Sequence, residues 1–271
     1  MRRIGGNGTV PAEVAPTTQP EPASKGSKTM VLDAIRDTTS SKGEKIVLYA
    51  PEGWGKSTWA SKSENPVFLS TEDGLKNIKA KTFPEPKVWP DIFDAVEVLR
   101  KNDHPFKTLV IDTADWTEHL CQKFIMERDK QNSIEDYGYG KGYVVAFEEW
   151  KRLKEPIDAL RREKEMTIIF LAHMMIRTFN NPAGENFDRY EMKTDRRVSA
   201  LLKEWADCVL FGTYDIAVDV KKGQTKGKGY GGDRIIHANH CAAFDAKNRY
   251  GIVKPITSNF AEFWKYVMGG N

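Results

Sequence analysis

Hydrophobic and polar residues follow two recurring patterns along most of the chain. Short apolar, β-prone runs predict strands at residues 44–50, 66–70, 107–112, 166–172 and 207–212. Segments with apolar residues at helical spacing predict helices at residues 30–36, 91–101, 116–130, 144–165, 201–205 and 260–267. Strands that alternate with helices are typical of an α/β fold in which helices flank a mostly parallel central sheet.

The pattern changes after residue 212. Residues 214–220 and 233–240 each alternate between apolar and polar positions, and a stretch rich in Lys and Gly separates them. This arrangement predicts a C-terminal antiparallel β-hairpin added to the edge of the sheet.

Two polar stretches, 132–143 and 174–197, predict long loops. Pro156 lies inside the predicted helix 144–165, where its ring predicts a kink or a break. Residues 1–28 are rich in Gly, Pro, Thr, Ser and Ala and contain few large apolar residues. The little apolar surface that they could bury cannot offset the entropy lost on ordering. We therefore expect a flexible tail over 1–28, inert or partner-binding, and a single core over 29–271.

Composition narrows the class of protein only mildly. The 271 residues are 40% hydrophobic and 29% charged, which suffices for a sizeable core. A net charge of +3 does not by itself indicate a nucleic-acid binder, so any basic surface is local. Cys121, Cys208 and Cys241 are far apart, which favours reduced thiols in the cytoplasm. No signal peptide and no apolar run of membrane-spanning length is present, so we expect no membrane association.

The strand 44–50 leads into a phosphate-binding loop (P-loop). The pattern G-x-x-x-x-G-K-[ST] is met, except that Ala replaces its first glycine. In such a turn from strand to helix, backbone N–H groups and the helix dipole point at the phosphates of a nucleotide. The alternative is an ordinary turn with a solvent-facing lysine. The predicted ATP-binding residues are Ala50, Pro51, Glu52, Gly53, Trp54, Gly55, Lys56, Ser57 and Thr58.

Two further acids complete a predicted catalytic set. Lys56 is expected to neutralise the β- and γ-phosphates, while Ser57 and Asp112, the last residue of its strand, are expected to hold Mg²⁺. Because Thr113 follows Asp112 where many ATPases have Glu, we expect the base that activates water to be Glu72, at the end of the second strand. The alternatives are an ordinary strand-end acid at 112 and, for Glu72, a first-turn acid of a helix capped by Ser70-x-x-Asp73.

Two more segments carry candidate chemistry. His173 ends the fourth strand, and if that strand lies between the P-loop strand and the Asp112 strand, the ring faces the γ-phosphate and can sense it. A core histidine is the alternative. Lys247 and Arg249 stand at i and i+2 on an extended segment, so both can point at the γ-phosphate of a neighbouring subunit. A solvated charged turn is the alternative for this pair.

These residues together resemble the RecA family of ATPases. The segments Phe-Leu-Ser-Thr-Glu-Asp-Gly around Glu72, Leu-Val-Ile-Asp-Thr around Asp112, and Phe-Leu-Ala-His ending at His173 occur in the family's order. Lys247-Asn-Arg-Tyr-Gly and the 137–142 segment Tyr-Gly-Tyr-Gly-Lys-Gly are similar to the short, core-only RecA-like proteins of bacteriophages, called phage nucleotide-binding proteins or single-strand annealing proteins. The resemblance covers about residues 29–268.

The resemblance implies an ATP- and Mg²⁺-dependent protein that binds single-stranded DNA in phage recombination, annealing or repair. It implies a ring or filament with ATP between subunits, Glu72 as the base, and Lys247 and Arg249 as cations acting on the neighbour's nucleotide. His173 stands where many relatives have Gln. Because the chain has no room for extra DNA-binding domains, annealing or an accessory role, with a single-strand DNA-binding protein as a further partner, is favoured over full strand exchange.

Two basic segments are candidates for DNA binding, with solvated mobile loops as the alternative. The segment 174–197 combines cations with the aromatic residues that stack on unpaired bases, and 221–234 has five cations and one acid. Exchanging Lys226 and Lys228 for Glu is expected to weaken single-strand binding and lower its salt dependence. The predicted DNA-binding residues are Arg177, Arg189, Lys193, Arg196, Arg197, Lys221, Lys222, Lys226, Lys228 and Arg234.

Two other functions stay open at this point. A P-loop kinase of a nucleotide or small molecule would use the segment 174–197 as its lid, although Lys247 and Arg249 would then have no obvious role. A non-catalytic, nucleotide-gated binding module would need no base at Glu72.

Overall fold

The structure is a computed structural model that describes Met1, residues 43–219 and residues 228–269. The predicted tail over 1–28 and the predicted helix over 30–36 lie outside this part of the chain, and the domain boundary at residue 28 stays a prediction.

Strands and helices alternate through the described residues. The strands are β1 (Lys45–Ala50), β2 (Pro66–Ser70), β3 (Lys81–Thr82), β4 (Thr108–Asp112), β5 (Thr167–Phe179), β6 (Phe187–Met192), β7 (Cys208–Asp219), β8 (Lys228–His237) and β9 (Ile256–Thr257). The helices are α1 (Lys56–Ala60), α2 (Trp89–Lys101), α3 (Ala114–Asp129), α4 (Lys141–Lys164), α5 (Arg196–Trp205) and α6 (Phe260–Val267), with a short 3-10 helix at Ile134–Tyr137.

The described strands form one sheet in the order β3-β2-β4-β5-β1-β7-β8-β9, and β6 pairs with β5. Every pairing from β3 to β7 along this order is parallel, whereas β7–β8, β8–β9 and β5–β6 are antiparallel. The predicted fold, a mostly parallel sheet with a C-terminal antiparallel hairpin, is therefore confirmed. The fourth predicted strand, β5, lies between β4 and β1, which is the order that a sensor role for His173 requires.

Both faces of the sheet are covered, and this explains why its central strands are almost continuously apolar. On β1, Val47 and Tyr49 pack into the core cluster that contains α2, α3, α4 and α5. Ile46 and Leu48 point to the other face and pack with residues of α1 and α6. Because successive side chains of a strand point to opposite faces, one short run of the sequence contributes to both cores.

The prediction of a long loop over 174–197 was wrong. β5 continues to Phe179 and turns back as β6, and Phe179 stacks on Phe187 across the hairpin with ring centroids 5.2 Å apart. Helix α5 then begins at Arg196, where the Asp195 side chain accepts the N–H of Arg197 at 2.9 Å. The hairpin projects beyond the buried sheet, so its half-exposed residues lack the apolar run that marks a core strand.

Two other details differ from expectation. Helix α4 runs without interruption through Pro156, so the predicted break is wrong. The polar stretch 132–143 is not a loop throughout, because it contains the 3-10 helix and the first turn of α4. The terminal helix at 260–267 is confirmed with the predicted bounds. Within the described residues, we find no helix with the length and apolar character needed to span a bilayer.

Candidate active site

The turn between β1 and α1 has the backbone of a phosphate-binding loop. Gly53 and Gly55 adopt φ of 72° and 97°, the left-handed region that favours glycine. A Cβ on Gly53 would meet nothing within 4 Å, so the loop opens onto free space at that point. The chain therefore presents bare backbone to a ligand directly before the first turn of α1.

Lys56 is held at this turn in a buried position. The residue is only 6% exposed, and its Nζ donates to the carbonyl oxygen of Pro51 at 3.3 Å. Burial lowers the pKa of Lys56, against the opposing attraction of Asp112 and Glu72. A buried ammonium whose acceptors are backbone carbonyls is well placed to exchange them for the oxygens of a phosphate.

Ser57 and Asp112 meet at the end of β4. The Ser57 hydroxyl donates to Oδ2 of Asp112 at 2.6 Å. The other oxygen, Oδ1, is buried and has no hydrogen-bond partner among the described residues. Burial also raises the pKa of Asp112, which is 1% exposed.

This pair fits Mg²⁺, which prefers oxygen ligands and is usually held by one or two carboxylates together with substrate phosphates. The unpartnered Oδ1 of Asp112 and the hydroxyl of Ser57 are the protein groups that would hold it. No cluster of three or more His, Cys, Asp or Glu able to hold a metal ion occurs in the part of the chain that the structure describes.

Glu72 reaches the same place from β2. Ser70 is in register with Asp112 on β4, and the N–H of Thr71 donates to the Asp112 carbonyl at 2.8 Å. The Ser70 hydroxyl donates to the carbonyl of Glu72, and no helix begins within 71–80. Glu72 is thus not a first-turn acid of a helix. Burial raises the pKa of its carboxyl, although His173 opposes the shift.

His173 lies between the carboxylates of Glu72 and Asp115 and is hydrogen-bonded to Asp115. It is in register with Ala50 at the end of β1, and its Nε2 lies 4.0 Å from Oε1 of Glu72. Its Nδ1 lies 2.8 Å from Oδ2 of Asp115, and its backbone N–H donates to Oδ1 of Asp115 at 2.9 Å. The ring is buried as a core histidine would be, but its polar neighbours belong to the site.

Asp115 is a site residue that the sequence reasoning missed. It lies in the first turn of α3, three residues after Asp112, and only this position marks it in the sequence. Burial acts to raise the pKa of Asp115, but the hydrogen bonds from His173 outweigh burial and lower it. Asp115 therefore fixes the ring of His173, and its charge favours the orientation in which Nε2 faces Glu72.

The family of the chain follows from a comparison with family models. The model of an AAA domain matches residues 42–250, a range that contains every site residue described so far. The chain belongs to the AAA domain family. It is thus a P-loop NTPase, a class that binds a nucleotide and usually Mg²⁺.

The crystal structure of the RadB recombinase matches with a TM-score of 0.41 and 12% sequence identity, over 72% of this chain and 80% of that chain. No curated protein matches the chain.

Lys247 and Arg249 lie at the end of the sheet that is remote from the P-loop of the AAA domain. The backbone of Lys247 bonds to Val209 near the start of β7, and its Nζ donates to the carbonyls of the α5 C-terminus, the shortest to Ala206 at 2.7 Å. Arg249 donates to Asp207 at 2.9 Å. Within one chain neither residue can reach the nucleotide, so their predicted role needs a neighbouring subunit.

The predicted DNA-binding residues lie in several different parts of the structure. On the β5–β6 hairpin, Arg177 donates to Glu191 at 3.2 Å, and Arg189 donates to Asp245 at 2.6 Å. Lys193, Arg196 and Arg197 are exposed. The structure does not describe three of the predicted DNA-binding residues, which are Lys221, Lys222 and Lys226.

Lys228 and Arg234 belong to β8. Lys228 is the first residue of that strand, and Arg234 is in register with Tyr214 on β7. The guanidinium of Arg234 lies against Gly55 of the P-loop. The structure thus brings Arg234 to the P-loop.

Glu118 on α3 links this region to α5. Its Oε2 accepts the backbone N–H of Asp195, the N-cap residue of α5, at 2.9 Å. Its Oε1 is buried without a partner among the described residues. Burial raises the pKa of Glu118 to about 7.

Replacing Glu118 with Gln is expected to reduce the pH dependence of stability. Because the folded-state pKa is about 7 and the ordinary value is 4.5, the folded chain binds more protons between these pH values. The free energy of unfolding therefore falls as the pH rises through this window, and the loss is complete above it. Between pH 5 and pH 8, the free energy of unfolding of the wild type should fall by about 2–3 kcal/mol more than that of Glu118→Gln.

Urea denaturation of both proteins at the two pH values measures this difference. The exposed Glu127 on the same helix supplies the control, Glu127→Gln, which should follow the wild type. Parallel pH dependence of Glu118→Gln and wild type would contradict the assignment.

Proposed function

We propose that this AAA domain is a RecA-like ATPase that hydrolyses ATP with Mg²⁺ and binds single-stranded DNA in phage recombination, annealing or repair. The observation that carries the proposal is the convergence of Lys56, the Ser57–Asp112 pair and Glu72 on one turn between β1 and α1. A cation, a hydroxyl–carboxylate pair that can hold Mg²⁺ and a candidate base around bare backbone are what phosphoryl transfer to water requires.

Each side chain has a separate task in this account. Lys56 exchanges its backbone acceptors for phosphate oxygens and neutralises charge that develops as the bond breaks. Ser57 and Asp112 would hold Mg²⁺, whose charge would shield the phosphates. Glu72 takes a proton from the attacking water, and its raised pKa makes it a better base than an exposed glutamate.

The β5–β6 hairpin is the element that supports single-strand binding. β5 runs without a break from the buried His173 to the exposed hairpin, so a change at the nucleotide can pass along one strand. The exposed cations Lys193, Arg196 and Arg197 follow the hairpin, and the aromatic pair Phe179–Phe187 lies on it. Cations beside aromatic rings suit a flexible polynucleotide with unstacked bases.

Self-association is the third part of the proposal. Lys247 and Arg249 stand together at the α5–β7 connection, and Arg249 is exposed although it is paired with Asp207. A subunit that stacks this end of its sheet against the P-loop end of the next would bring both cations to a γ-phosphate. Ring or filament, cytoplasmic location and a single-strand DNA-binding protein as partner belong to the same proposal.

Sedimentation of the purified protein with labelled single-stranded DNA tests the assembly and the DNA binding together. With a non-hydrolysable ATP analogue and Mg²⁺, we expect DNA to move with particles larger than the monomer, and higher salt to weaken the complex. The variant Arg249→Ala should form smaller particles than the wild type under the same conditions. A monomer that leaves the DNA free under every condition would contradict both parts.

A further inference from the structure

A cavity of about 440 Å³ opens directly beside the P-loop. Its volume is in the range of small-molecule and cofactor sites. Its walls come from α1 and the turn before it, from β8, and from the start of α6. The lining residues used below are Gly55, Thr58, Trp59, Arg234, Ser258 and Phe260.

Arg234 is the cation of this cavity that lies nearest to the P-loop. Its Nη1 is 2.9 Å from the position that a Cβ on Gly55 would take, so the guanidinium fills the space that this glycine leaves. The backbone around it is fixed, because Arg234 pairs with Tyr214 across the hairpin and its carbonyl accepts the N–H of Ser258 at 3.1 Å. Within the described residues, no carboxylate forms a salt bridge with Arg234.

The cavity also has aromatic walls. Trp59, which is 3% exposed, lines it from α1. Phe260 packs against Trp59 with ring centroids 4.8 Å apart. Apolar rings beside a few polar groups suit a flat heteroaromatic ligand.

The strand order decides which end of a nucleotide faces this cavity. The groups proposed to act on the terminal phosphate, Glu72, Asp112 and His173, stand on or just after β2, β4 and β5, all on one side of β1. Arg234 stands on β8, on the other side of β1 and beyond β7. A nucleotide whose terminal phosphate lies at Glu72 therefore points its nucleoside towards Arg234.

We propose that this cavity receives the base and ribose of the nucleotide, and that Arg234 of the same chain contacts them. This inference rests on the proposed function, since the phosphates must lie on the P-loop. It gives Arg234 a task in nucleotide recognition instead of the DNA contact expected from its place in a basic segment. The planar guanidinium can stack on a base, which a lysine ammonium cannot do.

Equilibrium binding of ATP, ADP and inorganic tripolyphosphate, each with Mg²⁺, tests the inference. Arg234→Ala should bind ATP and ADP about tenfold more weakly than the wild type, a loss typical of one charged contact, and tripolyphosphate equally well. The affinity of Arg234→Lys for ATP and ADP should be closer to that of Arg234→Ala than to that of the wild type. Lys254→Ala, which removes an exposed cation that does not line the cavity, is the matched control and should bind all three ligands normally.

The possible failures are distinguishable. If Arg234→Ala binds ATP as the wild type does, or loses affinity for tripolyphosphate to the same degree, Arg234 does not contact the nucleoside. If it loses affinity for single-stranded DNA in the absence of nucleotide while ATP binding is unchanged, Arg234 is a DNA contact. A wild type that binds none of the three ligands would overturn the proposed function itself. Because Arg234 is exposed, thermal unfolding of the variants should match the wild type.

Discussion

Replacing Glu72 with Gln should lower the kcat of ATP hydrolysis by about 10²–10⁴-fold, the usual contribution of a positioned general base. The amide keeps the shape of the side chain but cannot accept a proton from water. Because Glu72 is not expected to hold the nucleotide, the affinity for ATP should stay close to that of the wild type. Steady-state phosphate release and equilibrium nucleotide binding separate these two effects.

Asp73→Asn is the matched control for this variant. Asp73 is the carboxylate that follows Glu72 in the chain, but its side chain is 71% exposed and pairs with Lys76 at 2.9 Å. We expect its kcat to be unchanged. Normal turnover by Glu72→Gln would show that Glu72 is not the base. It would favour either a different base or a binding module without catalysis.

Replacing Lys56 with Ala should weaken the binding of ATP by at least about thirtyfold. The loss of one partner of a buried charge pair costs about 2–5 kcal/mol, and the triphosphate would then lie in a buried site without its main cation. The burial of Lys56 and its position over the loop carbonyls are the structural reasons for expecting a large effect. Isothermal titration with ATP and Mg²⁺ measures the affinity.

Lys101→Ala removes an exposed lysine at the end of α2 and serves as the control for charge alone. It should bind ATP normally. Unchanged affinity in Lys56→Ala would show that this loop does not hold the phosphates, and Glu72, Asp112 and Arg234 would then lose their assigned roles as well.

Much of the parallel sheet was predictable because its central strands are buried on both faces and therefore read as continuous apolar runs. The P-loop was predictable because its glycines and its Gly55-Lys56-Ser57 ending serve a local backbone requirement. The meeting of Glu72 with Asp112 followed only conditionally, since it needed β2 to lie beside β4, and the sequence does not state the order of strands.

What the sequence did not reveal depends on contacts between distant segments. Asp115 matters because β5 brings His173 to it, and an acid in the first turn of a helix is otherwise unremarkable. The β5–β6 hairpin is half-exposed, so its residues have a polar composition that indicates a loop. Arg234 reads as one more cation of a basic stretch until β8 places it against Gly55.

The most direct test of the central claim is phosphate release from ATP by the purified wild-type protein, with Mg²⁺, in the absence and presence of single-stranded DNA. The account predicts measurable hydrolysis that increases when DNA is added and that needs no small-molecule acceptor. No release under either condition, or release that depends on an acceptor and ignores DNA, would contradict it.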